Sequence, residues 1–116
     1  KNKIILITNN IFKKEIYNIS NIVSDENNIY ISTIEGKIIK LDLNLNKIEE
    51  RKYKFAKFYG LAITKFIYAI ESQGLLIKMD KKLNKKKIYK INLNKNDKIG
   101  IQNNRIYFHK KIIELE

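Results

Sequence analysis

The sequence has no cysteine, no proline and no tryptophan, and its only histidine is His109. Without cysteine the chain can form no disulfide, no thiolate zinc site and no cysteine nucleophile, and one histidine cannot build a multi-histidine metal site. The four glycines are spread along the chain and form no phosphate-binding loop. These absences exclude most metalloenzyme and triad chemistries, and the sequence predicts no cofactor and no bound metal.

The chain is strongly basic, with 24 lysine and arginine residues against 12 acidic residues in 116 and a formal net charge of +12. Such an excess favours nucleic acid or an anionic lipid surface as partner. Only Arg51 and Arg105 are arginine, however, and arginine is the residue that makes bidentate contacts to bases and phosphates. Lysine, asparagine and isoleucine share AT-rich codons, so a compositional bias accounts for part of the charge.

Long apolar runs are also missing. The best candidate, LAITKFIYAI, is interrupted by Lys65 and is shorter than the roughly 20 apolar residues that span a bilayer. We therefore expect no transmembrane segment and an intracellular, cytoplasmic or nuclear, location. The chain begins KNKIILIT and its only methionine is Met79, from which we expect a processed or excised segment.

Short runs in which apolar and polar residues alternate fill the sequence, and asparagine, aspartate, glycine and lysine separate them. A period of two residues, with lengths of about four to eight, predicts an all-β chain of short strands and tight turns. The predicted strands are Lys3–Thr8, Phe12–Tyr17, Asn21–Ser24, Ile29–Thr33, Lys37–Leu43, Ile48–Phe55, Leu61–Thr64, Phe66–Glu71, Leu75–Asp80, Lys87–Leu93, Lys98–Gln102, Arg105–His109 and Lys111–Glu116.

An internal repeat organises these strands. IYISTIEGKIIKLDLNLNK, from Ile29, aligns without a gap with IYAIESQGLLIKMDKKLNK, from Ile67, and IYFHKKIIELE begins a third, shortened copy at Ile106. A repeat of about 40 residues with four strands is the size of one β-propeller blade. We expect a single domain over residues 1–116, divided into the tail of one unit (1–20), two whole units (21–59 and 60–97) and the start of a fourth (98–116).

The segment SDENNIYISTIEGKIIKLDL and its counterpart FIYAIESQGLLIKMD resemble the inner strands of WD-repeat and quinoprotein-type repeats: an aromatic strand, a turn ending in glycine, and a strand ending in Leu-Asp or Met-Asp. The resemblance implies consecutive four-stranded antiparallel meanders that form about three blades of a partial β-propeller. A compact β-sandwich or barrel is the alternative arrangement of the same strands.

The repeated residues have a structural interpretation and a functional one. A glycine at a hairpin supplies a positive φ, and an aspartate after a strand accepts amide hydrogen bonds in the following turn. The aspartates could instead form a catalytic pair, but one aspartate per repeat favours a turn role. The tyrosines are predicted to pack between blades. The positions are Gly36 and Gly74, Asp42 and Asp80, and Tyr30, Tyr68 and Tyr107.

Lysines concentrate after the third strand of the second whole unit. In a propeller the fourth strand is the outer edge, where lysine discourages pairing with other sheets. The same cluster could bind an acidic partner, such as a phosphate backbone or an acidic protein segment. The candidate binding residues are Lys81, Lys82, Lys85, Lys86 and Lys87.

These observations predict a non-catalytic protein–protein interaction scaffold that belongs to a larger β-propeller protein or complex, with other proteins or further blades as partners. The alternative function is binding of nucleic acid or anionic lipid through the lysine-rich rim. No convergent set of catalytic residues is present, so we expect no enzyme activity.

Overall fold

The computed structural model describes residues 3–8, 11–54, 56–91, 98–102, 104–108 and 111–116, with only the backbone for residues 3–8 and 11–15. His109, Phe55 and the end of the unit 60–97 lie outside these ranges. All thirteen regular elements within them are β-strands. The strands are β1 (Lys3–Thr8), β2 (Ile11–Tyr17), β3 (Ile19–Ser24), β4 (Asn28–Thr33), β5 (Lys37–Asp42), β6 (Lys47–Lys52), β7 (Phe58–Ile63), β8 (Ile67–Glu71), β9 (Leu75–Met79), β10 (Lys85–Lys90), β11 (Ile99–Gln102), β12 (Arg105–Phe108) and β13 (Lys111–Glu114).

The strands form four antiparallel sheets in chain order. The first sheet is β1–β2, the second is β3–β4–β5–β6, the third is β7–β8–β9–β10 and the fourth is β11–β12–β13. Within a sheet each strand pairs with its neighbour in chain order, and the connections of the second and third sheets are short turns. The prediction of consecutive antiparallel meanders is confirmed, and the sandwich or barrel alternative does not describe this arrangement.

The sheets begin close to the predicted unit boundaries. The second, third and fourth sheets start at Ile19, Phe58 and Ile99, within two residues of positions 21, 60 and 98. Strand ends differ more: β10 begins at Lys85 rather than Lys87, with a bulge between these two residues, and the predicted end at Leu93 lies outside the described residues. The division into repeat units is a matter of sequence equivalence and stays a prediction.

The second and third sheets bury both faces, since alternate side chains of a strand point to opposite sides. In β4 and β5, Ile31 and Ile39 pack toward the first sheet together with Ile16. Their neighbours Tyr30 and Ile38 pack toward the third sheet. The same alternation in β8 and β9 directs residues to the second and fourth sheets in turn. The hydrophobic core is therefore a series of layers between stacked sheets.

The first strands of successive sheets come together at one side of the stack. The side-chain amide of Asn21 on β3 donates to the carbonyl of Leu61 on β7 over 3.2 Å. Gly60 on β7 lies between Asn21 and Ile101 on β11; a Cβ at Gly60 would be 3.3 Å from an atom of each. β6 and β10 are consequently the outermost strands of their sheets.

Candidate interaction surfaces

The predicted lysine cluster divides into two parts in the structure. Lys81 is committed to an internal contact: its Nζ donates to Asp25 Oδ2 over 2.8 Å, and its carbonyl accepts a hydrogen bond from Lys40 Nζ, also over 2.8 Å. Both contacts cross from the second sheet to the turn after β9. Lys81 therefore joins two sheets, and its ammonium group contacts Asp25 instead of facing solvent.

Asp25 is held ionised in this contact. Partial burial raises its pKa, but hydrogen bonds from Lys81 and from the amides of Asn27 and Asn28 outweigh that effect and lower the pKa from 3.8 to about 2. The turn between β3 and β4 is thus fixed by its own aspartate and by a lysine 56 residues later in the chain.

The remaining four lysines of the cluster are exposed, one in the turn and three on β10. Lys86 Nζ lies 3.6 Å from Asp80 Oδ2, and Lys87 Nζ lies 5.0 Å from the ring centroid of Tyr89. Exposed pairs of this kind contribute little to stability. The exposed members, which we call the outer-strand lysines, are Lys82, Lys85, Lys86 and Lys87.

The two outermost strands differ in charge although they occupy equivalent positions. β6 (KIEERK) carries Glu49 and Glu50 among its basic residues, and Arg51 pairs with Glu49 over 2.7 Å. β10 (KKKIYK) has four lysines and no acidic residue. Charged residues of either composition protect an edge strand from pairing with other sheets. Because β10 has no acidic residue, its lysines form the more concentrated positive surface.

The repeated aspartates organise identical turns. Asp42 Oδ1 accepts hydrogen bonds from the amides of Asn44 and Asn46, both over 2.9 Å. Asp80 Oδ1 does the same with Lys82 and Asn84, and the hydrogen bond from Asn84 is the main cause of its lowered pKa. Carboxylates engaged in this way are turn caps, and nothing in the geometry makes them an acid–base pair.

The same turns contain a feature that the sequence analysis did not interpret. Leu45 and Leu83 have positive φ values of 68° and 65°, a conformation that is uncommon for a bulky residue. Both side chains are buried, with Leu83 only 1% exposed. The alignment of the two leucines 38 residues apart was the available signal, since it marked the position as repeated without indicating its backbone conformation.

Gly36 and Gly74 both have φ of 91°, each in the hairpin between the second and third strands of its sheet. At Gly36 a Cβ would lie 2.6 Å from the carbonyl oxygen of Tyr53 and 2.8 Å from that of Ala56. The residue after β6 also donates its amide to the Gly36 carbonyl over 2.9 Å. Only glycine fits this conformation and this close approach of backbone.

The three repeated tyrosines have different surroundings. Tyr30 is completely buried, and burial together with the charge of Asp25 raises its pKa to about 12. Its hydroxyl has no hydrogen-bond partner among the described residues. The hydroxyl of Tyr68 accepts a hydrogen bond from the amide of Glu116 over 3.3 Å, whereas Tyr107 is partly exposed.

A lysine beside each buried tyrosine also crosses to the next sheet. Lys40 is paired across the ladder with Tyr30, and Lys78 with Tyr68. Lys78 Nζ donates to Glu116 Oε1 over 2.8 Å, which raises the pKa of Lys78 and lowers that of Glu116. These lysines are contacts between sheets rather than parts of a surface.

One face of the fourth sheet is open. Ile112 is 60% exposed and pairs across the ladder with Tyr107, as Lys40 and Lys78 pair with Tyr30 and Tyr68. Tyr107 lies on the same face, and its buried counterparts are Tyr30 and Tyr68. In the second and third sheets the following sheet covers the two tyrosines, so Tyr107 on the open face occupies a position that elsewhere contacts another sheet.

The structure shows no cluster of acidic or histidine side chains suited to a metal ion in the residues it describes. Nor do these residues include any helix with the length and apolar character needed to cross a membrane.

Stacked antiparallel meanders with converging first strands define a β-propeller-like fold. The chain is similar to the WD40 domain of Neurospora crassa Pan2, with a TM-score of 0.56 and 13% identity over 76% of this chain and 30% of that one. It is also similar to Kluyveromyces lactis Hsv2, with a TM-score of 0.51 and 15% identity over 83% of this chain and 37% of that one. The chain thus spans less than two fifths of either matched chain. No family model and no curated protein matches it.

Proposed function

We propose that the chain is a non-catalytic protein-interaction scaffold and forms part of a larger β-propeller assembly, with repeat units at residues 1–20, 21–59, 60–97 and 98–116. The observation that carries the proposal is the open face of the fourth sheet, where Tyr107 occupies the position at which Tyr30 and Tyr68 contact another sheet, and the exposed Ile112 lies beside it. Its partner is a protein surface with complementary apolar side chains, since exposed apolar patches mark interaction sites.

Affinity capture with three forms of the chain tests this function. Ile112→Asp places a charge on the open face, and Leu43→Asp is the matched control because Leu43 is a similarly exposed apolar residue in a turn. We expect a protein that the wild-type and Leu43→Asp chains retain and the Ile112→Asp chain loses. Retention of the same proteins by all three chains would contradict a role for this face.

A second candidate function is favoured by the charge of β10: binding of an acidic partner to the outer-strand lysines. Reversing all four to glutamate leaves the Lys81 contact intact and should weaken binding to polyglutamate, single-stranded RNA or phosphatidylserine vesicles and flatten its salt dependence. The control reverses four other exposed lysines and has the same net charge. Equal loss in both chains would attribute binding to net charge alone. The control positions are Lys52, Lys54, Lys57 and Lys98.

A further inference from the structure

The outer edge of β10 carries a set of side chains and backbone groups that fits one kind of partner. β9 pairs with one edge of this strand, and no strand in the described part of the chain pairs with the other. β10 lies within the chain, with the fourth sheet after it. Further blades at either end of the chain would stack beside the existing sheets and would add no strand to β10.

The ladder between β9 and β10 determines which backbone groups face this edge. The amide of Ile91 donates to the carbonyl of Gly74 over 2.7 Å, which makes Ile91 a hydrogen-bonded position of the ladder. In an antiparallel pair, such positions alternate with positions whose N–H and C=O point away from the partner strand. Tyr89 therefore bonds to β9, whereas Ile88 and Lys90 direct their N–H and C=O groups to the outer edge.

Lysines flank these backbone groups on both faces of the sheet. Lys85 is opposite Met79, which packs toward the second sheet, and Lys87 is opposite Lys78, which contacts the residue after β13 on the other side. Directly opposed residues of a ladder share a face, so the two exposed lysines lie on opposite sides of the edge. Ile88, 44% exposed, adds an apolar contact between them.

An edge of this composition discriminates among the strands that could add to it. Like charges directly opposite each other on neighbouring strands are destabilising, and opposite charges are stabilising. The lysines therefore exclude a second copy of β10, as edge protection requires, and favour an acidic strand. Nucleic acid fits less well, because β10 has no arginine and its one aromatic side chain, Tyr89, packs against the core between the third and fourth sheets.

We propose that the outer edge of β10 binds an acidic segment of a partner polypeptide, which adds to the third sheet as a further strand. The backbone of the segment bonds to the outward groups of Ile88 and Lys90, and its carboxylates lie beside Lys85 and Lys87. This inference rests on the second candidate function, the binding of an acidic partner to the outer-strand lysines. It specifies the class of that partner and the way in which it binds.

Two peptides of identical sequence and charge separate strand addition from attraction between charges. The probe is fluorescein-labelled EVEIEVE, and the control is the same peptide with methyl groups on its internal amide nitrogens. Binding to the 116-residue chain is followed by fluorescence anisotropy. We expect saturable binding of the probe below about 1 mM and at least about fivefold weaker binding of the methylated peptide, because methylation removes the donors of the ladder.

Variants of the chain locate the binding. Lys85→Glu with Lys87→Glu should weaken the probe by about tenfold, whereas Lys52→Glu with Lys54→Glu gives the same net charge and should weaken it by less than about threefold. Ile88→Pro keeps every lysine, removes one outward N–H and should weaken the probe by about fivefold. Circular dichroism checks folding. If Ile88→Pro unfolds the chain, the methylated peptide supplies the test of the backbone.

Any of three results with the probe would overturn the inference: no binding at about 1 mM, equal binding of the methylated peptide, or equal loss with the two pairs of lysine substitutions. Tighter binding of oligouridylate or of phosphatidylserine vesicles than of EVEIEVE would also overturn it and would assign the lysines to nucleic acid or lipid.

The second candidate function is judged separately, by reversal of all four outer-strand lysines. If that reversal weakens polyglutamate binding while the methylated and unmethylated peptides bind equally, strand addition is rejected and an acidic partner is retained. If the reversal has no effect on polyglutamate, RNA or vesicles, both proposals fail.

Discussion

The contact between Asp25 and Lys81 should make the stability of the folded chain depend on pH. Replacing Asp25 by asparagine should remove this dependence. Asp25→Asn keeps a side-chain oxygen for the amides of Asn27 and Asn28 and removes the charge that faces Lys81 Nζ at 2.8 Å. The substitution therefore isolates the ion pair from the turn that surrounds it.

The magnitude follows from the pKa of Asp25. A fall from 3.8 in the unfolded chain to about 2 in the folded chain corresponds to at most about 2.4 kcal/mol of stability at neutral pH. The Asp25 side chain is 26% exposed, so solvent screening reduces the expected contribution to about 1–2 kcal/mol. Because the folded pKa is the lower one, this stability is present above about pH 4 and is lost as the pH falls toward 2.

Urea unfolding at a series of pH values measures the effect. At pH 7 the Asp25→Asn chain should unfold more easily by about 1–2 kcal/mol, and the difference from wild type should vanish near pH 2. Glu26→Gln, which removes the exposed carboxylate next in the chain, is the control and should change stability little. A difference between wild type and Asp25→Asn that stayed constant from pH 7 to pH 2 would refute the role assigned to the ion pair.

Three substitutions and two comparison variants test the packing of the chain by urea unfolding. Gly36→Ala should destabilise the chain by about 2 kcal/mol or more, because its Cβ would meet two carbonyl oxygens at 2.6 and 2.8 Å. Gly100→Ala, whose Cβ would have its nearest atom at 3.9 Å, should be nearly neutral. Equal effects of the two substitutions would contradict the steric explanation. Leu83→Ala should remove about 2–4 kcal/mol, and a loss below about 1 kcal/mol would show that the leucine does not fill its junction. Tyr30→Phe should leave the free energy of unfolding unchanged or raise it, because the Tyr30 hydroxyl has no hydrogen-bond partner among the described residues. Tyr68→Phe should lower the free energy of unfolding by about 1 kcal/mol, because a hydrogen bond is lost. A larger loss for Tyr30→Phe than for Tyr68→Phe would contradict these assignments.

The strands and their grouping were accessible from the sequence because a sheet buried on both faces still leaves an alternating pattern where turns and outer strands meet solvent. The repeat added the order of the sheets, since Ile29 and Ile67 mark the same position in successive units. The positive φ of Gly36 and Gly74 could be predicted because each glycine lies in a tight hairpin between two strands.

The roles of individual lysines were not accessible. Lys81 and Lys82 are neighbours in one basic run, yet Lys81 contacts Asp25 and Lys82 is exposed. Asp25 is 56 residues from Lys81 in the chain, and only the stacking of the sheets brings the two side chains together. The buried leucines Leu45 and Leu83 were equally hidden, because a positive φ at leucine is stable only when tertiary packing offsets its strain.

The sequence by itself determined an all-β chain of repeated meanders, because side-chain alternation and turn residues act over a few neighbouring positions. The tertiary structure alone decided which side chains join the sheets and which lysines remain on the surface. These properties depend on contacts between residues about 38 positions or more apart, and no local pattern encodes the distance between two such atoms.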